Sequence, residues 1–403
     1  MKILILGGAG AQAAYAIEKI LKDGAFDEVV LADYDEERAK AKAASLEDDR
    51  VSAVHCDVLD KEPLIELMNQ ADVVANCTGP YYKLLPPTID AFMESDCKKY
   101  VDFCDDIAAF EEVMTDEAKQ EAIDKGKSII IGLGGSPGLI PVEIMYADSL
   151  MDTTDTVKLH MIMDELEEGG PAVWDHMLEN FNGTVHVWKD GRLQEENGLE
   201  VVERFEYDEH TFGDIGEIAV YSLGHPEVYT LPKALPDLDE ISIKISMYPI
   251  KVMDMVVDFN RIGLLETDPI RVGDVEVAPR SVLLALMENL YEKAEENGGF
   301  LAPEYREEED RMSGTSITVY GSKDGQKAVY RSSFSSLMGP ATGFPLAIGA
   351  RLLAEDKVKA GMMIPEEAIE DPEAFVEEAF ASMPELGYNL TRQSAIEYQL
   401  ASE

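Results

Sequence analysis

The first 33 residues constrain the fold more than any other stretch of the chain. An apolar run, Ile3-Leu4-Ile5-Leu6, breaks into Gly7-Gly8-Ala9-Gly10-Ala11-Gln12-Ala13. Ala14-Tyr15-Ala16-Ile17-Glu18-Lys19-Ile20-Leu21 follows with the spacing of an amphipathic helix, and a second apolar run, Val29-Val30-Leu31-Ala32, closes on Asp33. Strand, glycine turn, helix, strand and acid in that order open a parallel α/β unit that receives a dinucleotide.

Each position has a physical task. In the frame Gly8-x-Gly10-x-x-Ala13, Gly8 turns the chain out of the strand and Gly10 lets a pyrophosphate come close. Ala13 keeps the helix tight against the strand. Gly7 adds freedom and leaves the frame open by one residue. The amides at the helix start, with Ala11, Gln12 and Ala13, form the anion site. Asp33 follows Ala13 by 20 positions, where an acid accepts from the ribose hydroxyls. Asp35, Glu36 and Glu37 separate it from Arg38, a field that repels a 2′-phosphate, so the cofactor read here is NAD, with NADP as the alternative.

With 403 residues the chain exceeds a single core, and two domains are expected. Aspartate and glutamate total 80 against 34 lysines and arginines, a formal charge of -46 spread along the whole sequence. Such a charge repels nucleic acid and anionic membranes, and it fits a protein working at high ionic strength with a hydrated acidic surface. Cys56, Cys77, Cys97 and Cys104 follow no metal or disulfide spacing, which suits reduced thiols in a cytoplasmic protein. No signal peptide or membrane-spanning run is apparent.

Beyond Asp33 the apolar runs recur with helical stretches between them. Strands are expected at 51–56, 71–77, 99–103 and 128–133, and helices at 36–46, 60–68, 88–96 and 116–125. This is a Rossmann-type doubly wound parallel sheet, whose ligand lies beyond the carboxyl ends of the strands. Asp57, Thr78, Gly79 and Pro80 therefore join the cofactor-binding set, with Tyr81 and Tyr82 close to the chemistry. From residue 156 the texture turns to period-two runs joined by short turns, with helices at 172–180 and 280–296. That pattern reads as a second, α+β domain with a largely antiparallel or mixed sheet. The domains are placed at 1–139 for the dinucleotide, 140–336 for substrate binding and dimerisation, and 337–403 for a C-terminal segment that packs back on the first. Its last residues are read as a peripheral arm.

Five motifs in order resemble the saccharopine dehydrogenase-like family: Gly7 to Ala13, Tyr100-Val101-Asp102, Gly134-Gly135-Ser136-Pro137-Gly138, Gly224-His225-Pro226-Glu227, and Gly343-Phe344-Pro345-Leu346-Ala347-Ile348-Gly349-Ala350. That family includes saccharopine reductases, lysine 6-dehydrogenases and carboxynorspermidine dehydrogenases. The resemblance implies an NAD(P)-binding domain interrupted by an α/β domain, usually in a homodimer, and hydride transfer at the C–N carbon of an amino acid through an imine. Two departures pull away from a plain reductase. The acids from Asp33 to Glu37 replace the basic surroundings common in NADP-using members, and the turn at 134–138 lacks the acid that often precedes Ser-Pro-Gly.

The expected activity is therefore lysine 6-dehydrogenase-like, an NAD(P)-dependent oxidation of a CH–NH or CH–NH2 group in a small amino acid or amine. Two rivals stand beside it: reductive condensation of an amine with an aldehyde or keto acid, and a non-catalytic dinucleotide sensor. Asp102 is the first candidate to hold or deprotonate the substrate ammonium, Tyr82 the orienting hydroxyl, and His225 a second proton carrier. Arg261, Arg331 and Arg351 are the candidates for a substrate carboxylate, since a guanidinium grips it with two hydrogen bonds. No metal is expected, for the sequence has neither H-E-x-x-H nor C-x-x-C.

Overall fold

A computed structural model describes residues 1–165, 167, 170–181, 183–200, 202–297 and 312–399. The chain divides into two compact units, Met1–Tyr146 with Gly339–Tyr388, and Ala147–Met338 with Asn389–Glu403.

Along the first unit run β1 (Lys2–Leu6), α1 (Ala11–Asp23), β2 (Glu28–Asp33), α2 (Glu36–Ser45), β3 (Val51–His55), α3 (Lys61–Met68) and β4 (Val73–Asn76). They are followed by α4 (Tyr81–Glu94), β5 (Lys99–Asp102), α5 (Ile107–Val113), α6 (Asp116–Asp124), β6 (Ser128–Ile130) and α7 (Leu139–Ser149). The central strands β1 and β4 are wholly apolar but for Lys2 and Asn76, as strands buried on both faces must be. Their packing draws Leu4, Leu6, Val74, Leu85, Phe92, Tyr100 and Ile129 into one core.

One helix starts earlier than its sequence suggests. α4 begins at Tyr81, so Tyr81 and Tyr82 form its first turn rather than a loop. Pro86 and Pro87 hide this in the sequence, because each removes an amide from the helical ladder. Burial of Tyr81, Leu85, Thr88, Ile89 and Phe92 along one face carries the helix through them.

The second unit holds β7 (Thr153–Asp164), α8 (Gly170–Phe181), β8 (Thr184–Lys189), β9 (Arg192–Asn197), β10 (Val202–Glu206), α9 (Glu209–Phe212), β11 (Glu217–Ser222) and α10 (Glu227–Ala234). Then come β12 (Glu240–Tyr248), α11 (Ile250–Arg261), β13 (Ile270–Val272), β14 (Val275–Val277), α12 (Pro279–Asn297), β15 (Gly314–Lys323) and β16 (Gln326–Ser335). Two hairpins close through two residues of positive φ, Asp190-Gly191 and Asp324-Gly325, the geometry that matches strand twist. The sheet is mixed: β12 runs parallel to β7, and β15 pairs antiparallel with both β7 and β16.

From Gly339 the chain belongs to the first unit again, through α13 (Met338–Ala354), β17 (Gly361–Met363), α14 (Pro365–Ala368) and α15 (Pro372–Glu385). β17 adds a seventh strand, giving the parallel order β17-β6-β5-β4-β1-β2-β3. The final segment departs from the expected return at 337–403. β18 (Thr391–Gln399) is neither an arm nor part of the first unit, because its backbone completes the ladder of β16, from Lys327↔Gln399 to Ser335↔Thr391. The second sheet thus has nine strands, in the path β10-β11-β12-β7-β15-β16-β18 with β8 and β9 off it.

Glycine lets α13 lie directly on α1. A Cβ on Gly343 would stand 2.6 Å from the Ala16 amide nitrogen and 2.6 Å from Tyr15 Cβ. Neither atom can swing aside, so Gly343→Ala is expected to push the two helices apart at a cost of about 1–3 kcal/mol. Thermal unfolding reads this directly, and an unchanged Tm would refute the close approach.

Candidate dinucleotide and proton-transfer sites

All seven strands of the first sheet are parallel, so the turns that follow them emerge along one edge. The first turn is made by Gly7, whose φ is +70° and whose Cβ would lie 2.7 Å from the Cys77 carbonyl oxygen. Gly7, not Gly8, therefore makes the sharp exit from β1. Gly8 serves packing instead, since a Cβ there would meet Leu31 Cβ at 2.8 Å. Gly10 is the N-cap of α1 and has no side chain to satisfy the first amides of the helix. A cradle closed to any Cβ at Gly7 and Gly8, beneath a helix start with no side-chain cap, fits a pyrophosphate.

Asp33 ends β2, half-buried, beside this turn. Its Oδ2 accepts the Ala9 amide at 3.0 Å and its Oδ1 the Asp35 amide at 3.0 Å. Each carboxylate oxygen keeps a second lone pair for a sugar hydroxyl. Arg38 reaches back from α2 and donates through Nη2 to the Ala9 carbonyl at 2.7 Å. The Ala9 peptide is thus held at both ends, by an acid and by the first cation after Asp33. Nearby, Asp57 accepts the Leu59 amide at 2.9 Å, and Tyr34 and Leu59 are exposed apolar side chains.

The turn after β4 is tied down by Asn76, whose Oδ1 accepts the Thr78 amide at 3.0 Å and the Thr78 hydroxyl at 2.6 Å. Gly79 and Pro80 are exposed and joined by a cis peptide. Tyr81 is buried and its hydroxyl donates to the Asn76 carbonyl at 3.2 Å, whereas Tyr82 is 51% exposed beneath Lys83, whose Nζ lies 5.2 Å from its ring centroid. Of the two tyrosines, only Tyr82 offers its ring to solvent.

Asp102 stands differently from its expected place. Read as a group that meets the substrate ammonium, it is fully buried at the end of β5. Its Oδ1 accepts the Cys104 amide at 3.0 Å and the Gly132 amide at 2.8 Å, so it clasps the turn after β5 to the turn after β6. Asn76 Nδ2 donates to the Tyr100 hydroxyl at 2.9 Å, and that hydroxyl acts in turn on the Asp102 carboxyl. Burial pushes Asp102 up to about 6, while the two amides and Tyr100 pull it down. Strand ends turn inward where such a clasp is needed, and a lone acid after Val101 gives no sign of it.

Above its raised value Asp102 is a charge held at a cost. The unfolded carboxyl ionises near 3.8, so from there to about 6 the folded protein binds the additional proton and stability falls as pH rises. The full penalty is about 3 kcal/mol above that window. Asp102→Asn is expected to gain on the wild type by that order between pH 4 and pH 7 in denaturant titrations. A stability difference that does not change with pH would rule out the buried charge.

In the second unit, His225 follows β11 in a Gly-His-Pro turn and is buried. Its Nδ1 is hydrogen-bonded to Glu227 Oε2, and Glu227, at the start of α10, is fully buried. The Tyr229 hydroxyl lies 2.7 Å from His186 Nδ1 on β8. Of the three arginines, Arg351 belongs to the first unit and Arg261 and Arg331 to the second. Arg351 is enclosed on α13, with Asp23 of α1, Glu355 and Glu378 of α15 around it. Arg331 pairs across strands with Glu397 at 2.8 Å. Arg261, paired with Asp258 at 3.1 Å, borders a cavity of about 540 Å³ with Asn197, Glu200, Tyr221, Asn260 and Glu266.

All four cysteines carry free thiols, three of them buried. Among the described residues no group of His, Cys, Asp and Glu is placed to hold a metal, and no helix is long and apolar enough to cross a membrane. What the sequence reading missed is Glu227, which lay in a quoted motif two positions past His225, and the Asn76–Tyr100 link, which joins two strands.

Comparison with known proteins agrees with this architecture. The family model described as "Saccharopine dehydrogenase NADP binding domain" matches residues 3–130, and "Saccharopine dehydrogenase C-terminal domain" matches residues 172–383, more than half the chain. Proteins named "Saccharopine dehydrogenase-like oxidoreductase" from Homo sapiens and Pongo abelii are 34% identical over 113 residues. That stretch is 26% of this chain and 24% of each relative, so the match spans about a quarter of their length. The apo saccharopine dehydrogenase (L-Glu forming) of Saccharomyces cerevisiae has the same fold, with a TM-score of 0.67 over 98% of this chain and 99% of that one at 14% identity. A glycine cradle ending in Asp33, a mixed-sheet second unit and matches to both family domains lead to one assignment: the chain belongs to the saccharopine dehydrogenase family.

Proposed function

We propose that the protein is an NAD-dependent oxidoreductase acting on the C–N bond of an amino acid, in the manner of a lysine 6-dehydrogenase. The observation that carries this reading is the Asp33 carboxylate on the Ala9 amide, beside the open start of α1. In it, Gly10, Ala11, Gln12 and Ala13 hold the pyrophosphate, with Gly8 packing the turn beneath on Leu31, Asp33 holds the adenosine ribose, and Asp57, Thr78, Gly79 and Pro80 flank the same edge. Asp35, Glu36 and Glu37 favour NAD, and Arg38 is already committed to the Ala9 carbonyl. The dinucleotide, when bound, supplies the hydride acceptor.

The chain's own residues then orient the substrate and manage one proton on its nitrogen. His225 takes that proton, Tyr82 orients the amine, and Asp102 sets the turns after β5 and β6 from within rather than touching substrate. Arg261, Arg331 and Arg351 each pair with an acid of their own unit, and Arg261 is taken as the carboxylate anchor because it borders a cavity. Glu200 and Glu266 on the same cavity suit the ammonium of a zwitterion. The acidic surface and a homodimer working at high salt complete the reading.

The deciding experiment follows nicotinamide absorbance at high salt, with lysine, other amino acids and diamines, and with amine plus aldehyde or keto acid, each with NAD and NADP. Reduction of NAD by a lone amino acid is expected. Turnover only with a pair would replace the dehydrogenase by a condensing reductase, and tight binding without turnover would leave a sensor.

A further inference from the structure

The turn that carries His225 is built to present its ring in one state. Leu223 donates to the Ile243 carbonyl at 3.0 Å and Gly224 to the Asn180 carbonyl at 3.3 Å, which fixes the chain just ahead of the histidine. Pro226 is the N-cap of α10, and Glu227 is the first residue of that helix. A carboxylate in the first turn of a helix is favoured by the helix dipole, and Glu227 holds that position with its side chain buried. An ionised carboxylate only accepts hydrogen bonds. Facing an ionised Glu227, His225 Nδ1, in contact with Glu227 Oε2, is the donor.

We propose that Glu227 is a positioning residue for His225, which keeps the imidazole proton on Nδ1 and makes Nε2 the basic nitrogen of the proton-transfer step. This rests on the reading of His225 as the proton carrier. The substrate proton goes to Nε2, and the Nδ1 proton stays where it is. Glu227 does not take it; its charge steadies the imidazolium that forms. Around this pair the Tyr229 hydroxyl and His186 make a second hydrogen bond at 2.7 Å, with Glu195 3.6 Å from His186 Nε2. Those groups lie on α10, β8 and β9 and are left in place by the variants below.

The test is ¹⁵N NMR of the full chain labelled at its six histidines, with His225 assigned through His225→Gln. In the wild type the neutral ring is expected to show a protonated Nδ1. Glu227→Gln is expected to lower the His225 pKa by about one unit, a tenfold change in proton affinity, and to mix the tautomers. Glu227→Asp should fall between the two. The acidic limb of kcat/KM against pH should move by the same amount in each variant. A wild-type ring protonated on Nε2, or a His225 pKa unmoved in both variants, overturns the proposal. If the NMR shifts occur and the pH profile stays fixed, Glu227 still positions His225, and it is the proton-carrier role of His225 that falls.

Discussion

Asp33→Ser is expected to lower kcat/KM with NAD about 10- to 100-fold and to raise the NADP-to-NAD ratio by more than that. The first figure follows from losing charge-assisted hydrogen bonds to the ribose hydroxyls, each worth about 1.5–3 kcal/mol, with tenfold per 1.4 kcal/mol. The larger change in ratio has a separate cause. Removing one negative charge from a cluster that still holds Asp35, Glu36 and Glu37 relieves repulsion felt only by the 2′-phosphate. Because Asp33 also holds the Ala9 amide, Asp33→Asn serves as the control: it keeps an acceptor for that amide and removes the charge. Equal losses with both cofactors in the two variants would mean that Asp33 supports the loop and does not select the ligand.

The second large effect concerns stability. Lys127 is fully buried, and its Nζ donates to the carbonyls of Phe92 at 2.8 Å, Ser95 at 2.9 Å and Cys97 at 2.6 Å. It also lies 4.4 Å from the centroid of the Phe92 ring. One ammonium thus caps the carboxyl end of α4 and starts β6 on the next residue. Lys127→Met fills similar volume but takes the ammonium from the Ser95 and Cys97 carbonyls, at about 1–3 kcal/mol each, while the Phe92 carbonyl keeps the Ser95 amide and hydroxyl. Allowing for water reaching part of the site, about 3–5 kcal/mol is expected, a fall in the first unit's Tm of order 10 °C. A variant within 2 °C of the wild type, to order of magnitude, would show that those carbonyls find other partners.

Lys127 also marks where sequence reading stops. Between Gly126 and the strand that follows it looks like an ordinary exposed turn lysine, because its three acceptors lie 30 to 35 residues upstream. The parallel unit was legible because its signals are local: glycines at fixed offsets, apolar runs bounded by turns, and an acid at the end of β2. The mixed second sheet was legible from alternation alone. What escaped depends on distant partners. β17 is three residues long and exists only because β6 offers it an edge. β18 has Arg392, Gln393, Ser394 and Glu397 on an outermost strand, so no buried face imprints a period on it. Arg331 and Arg351 read as free cations until the structure supplies Glu397 and Glu378. Asp102 reads as a strand-end acid until its two amides come from separate turns.

The late placement of β17 and β18 has a consequence for biosynthesis. Neither unit is continuous in the chain: the first lacks its seventh strand until residue 363 is made, and the second lacks its last strand until residue 399. A ribosome releasing this chain therefore cannot complete one unit and then begin the other. Both sheets wait with an open edge for a strand from the far end, and such long-range pairing is slow to form and exposed to aggregation meanwhile. Nascent chains arrested before residue 361 should accordingly be sensitive to protease in both units, rather than showing a resistant amino-terminal half.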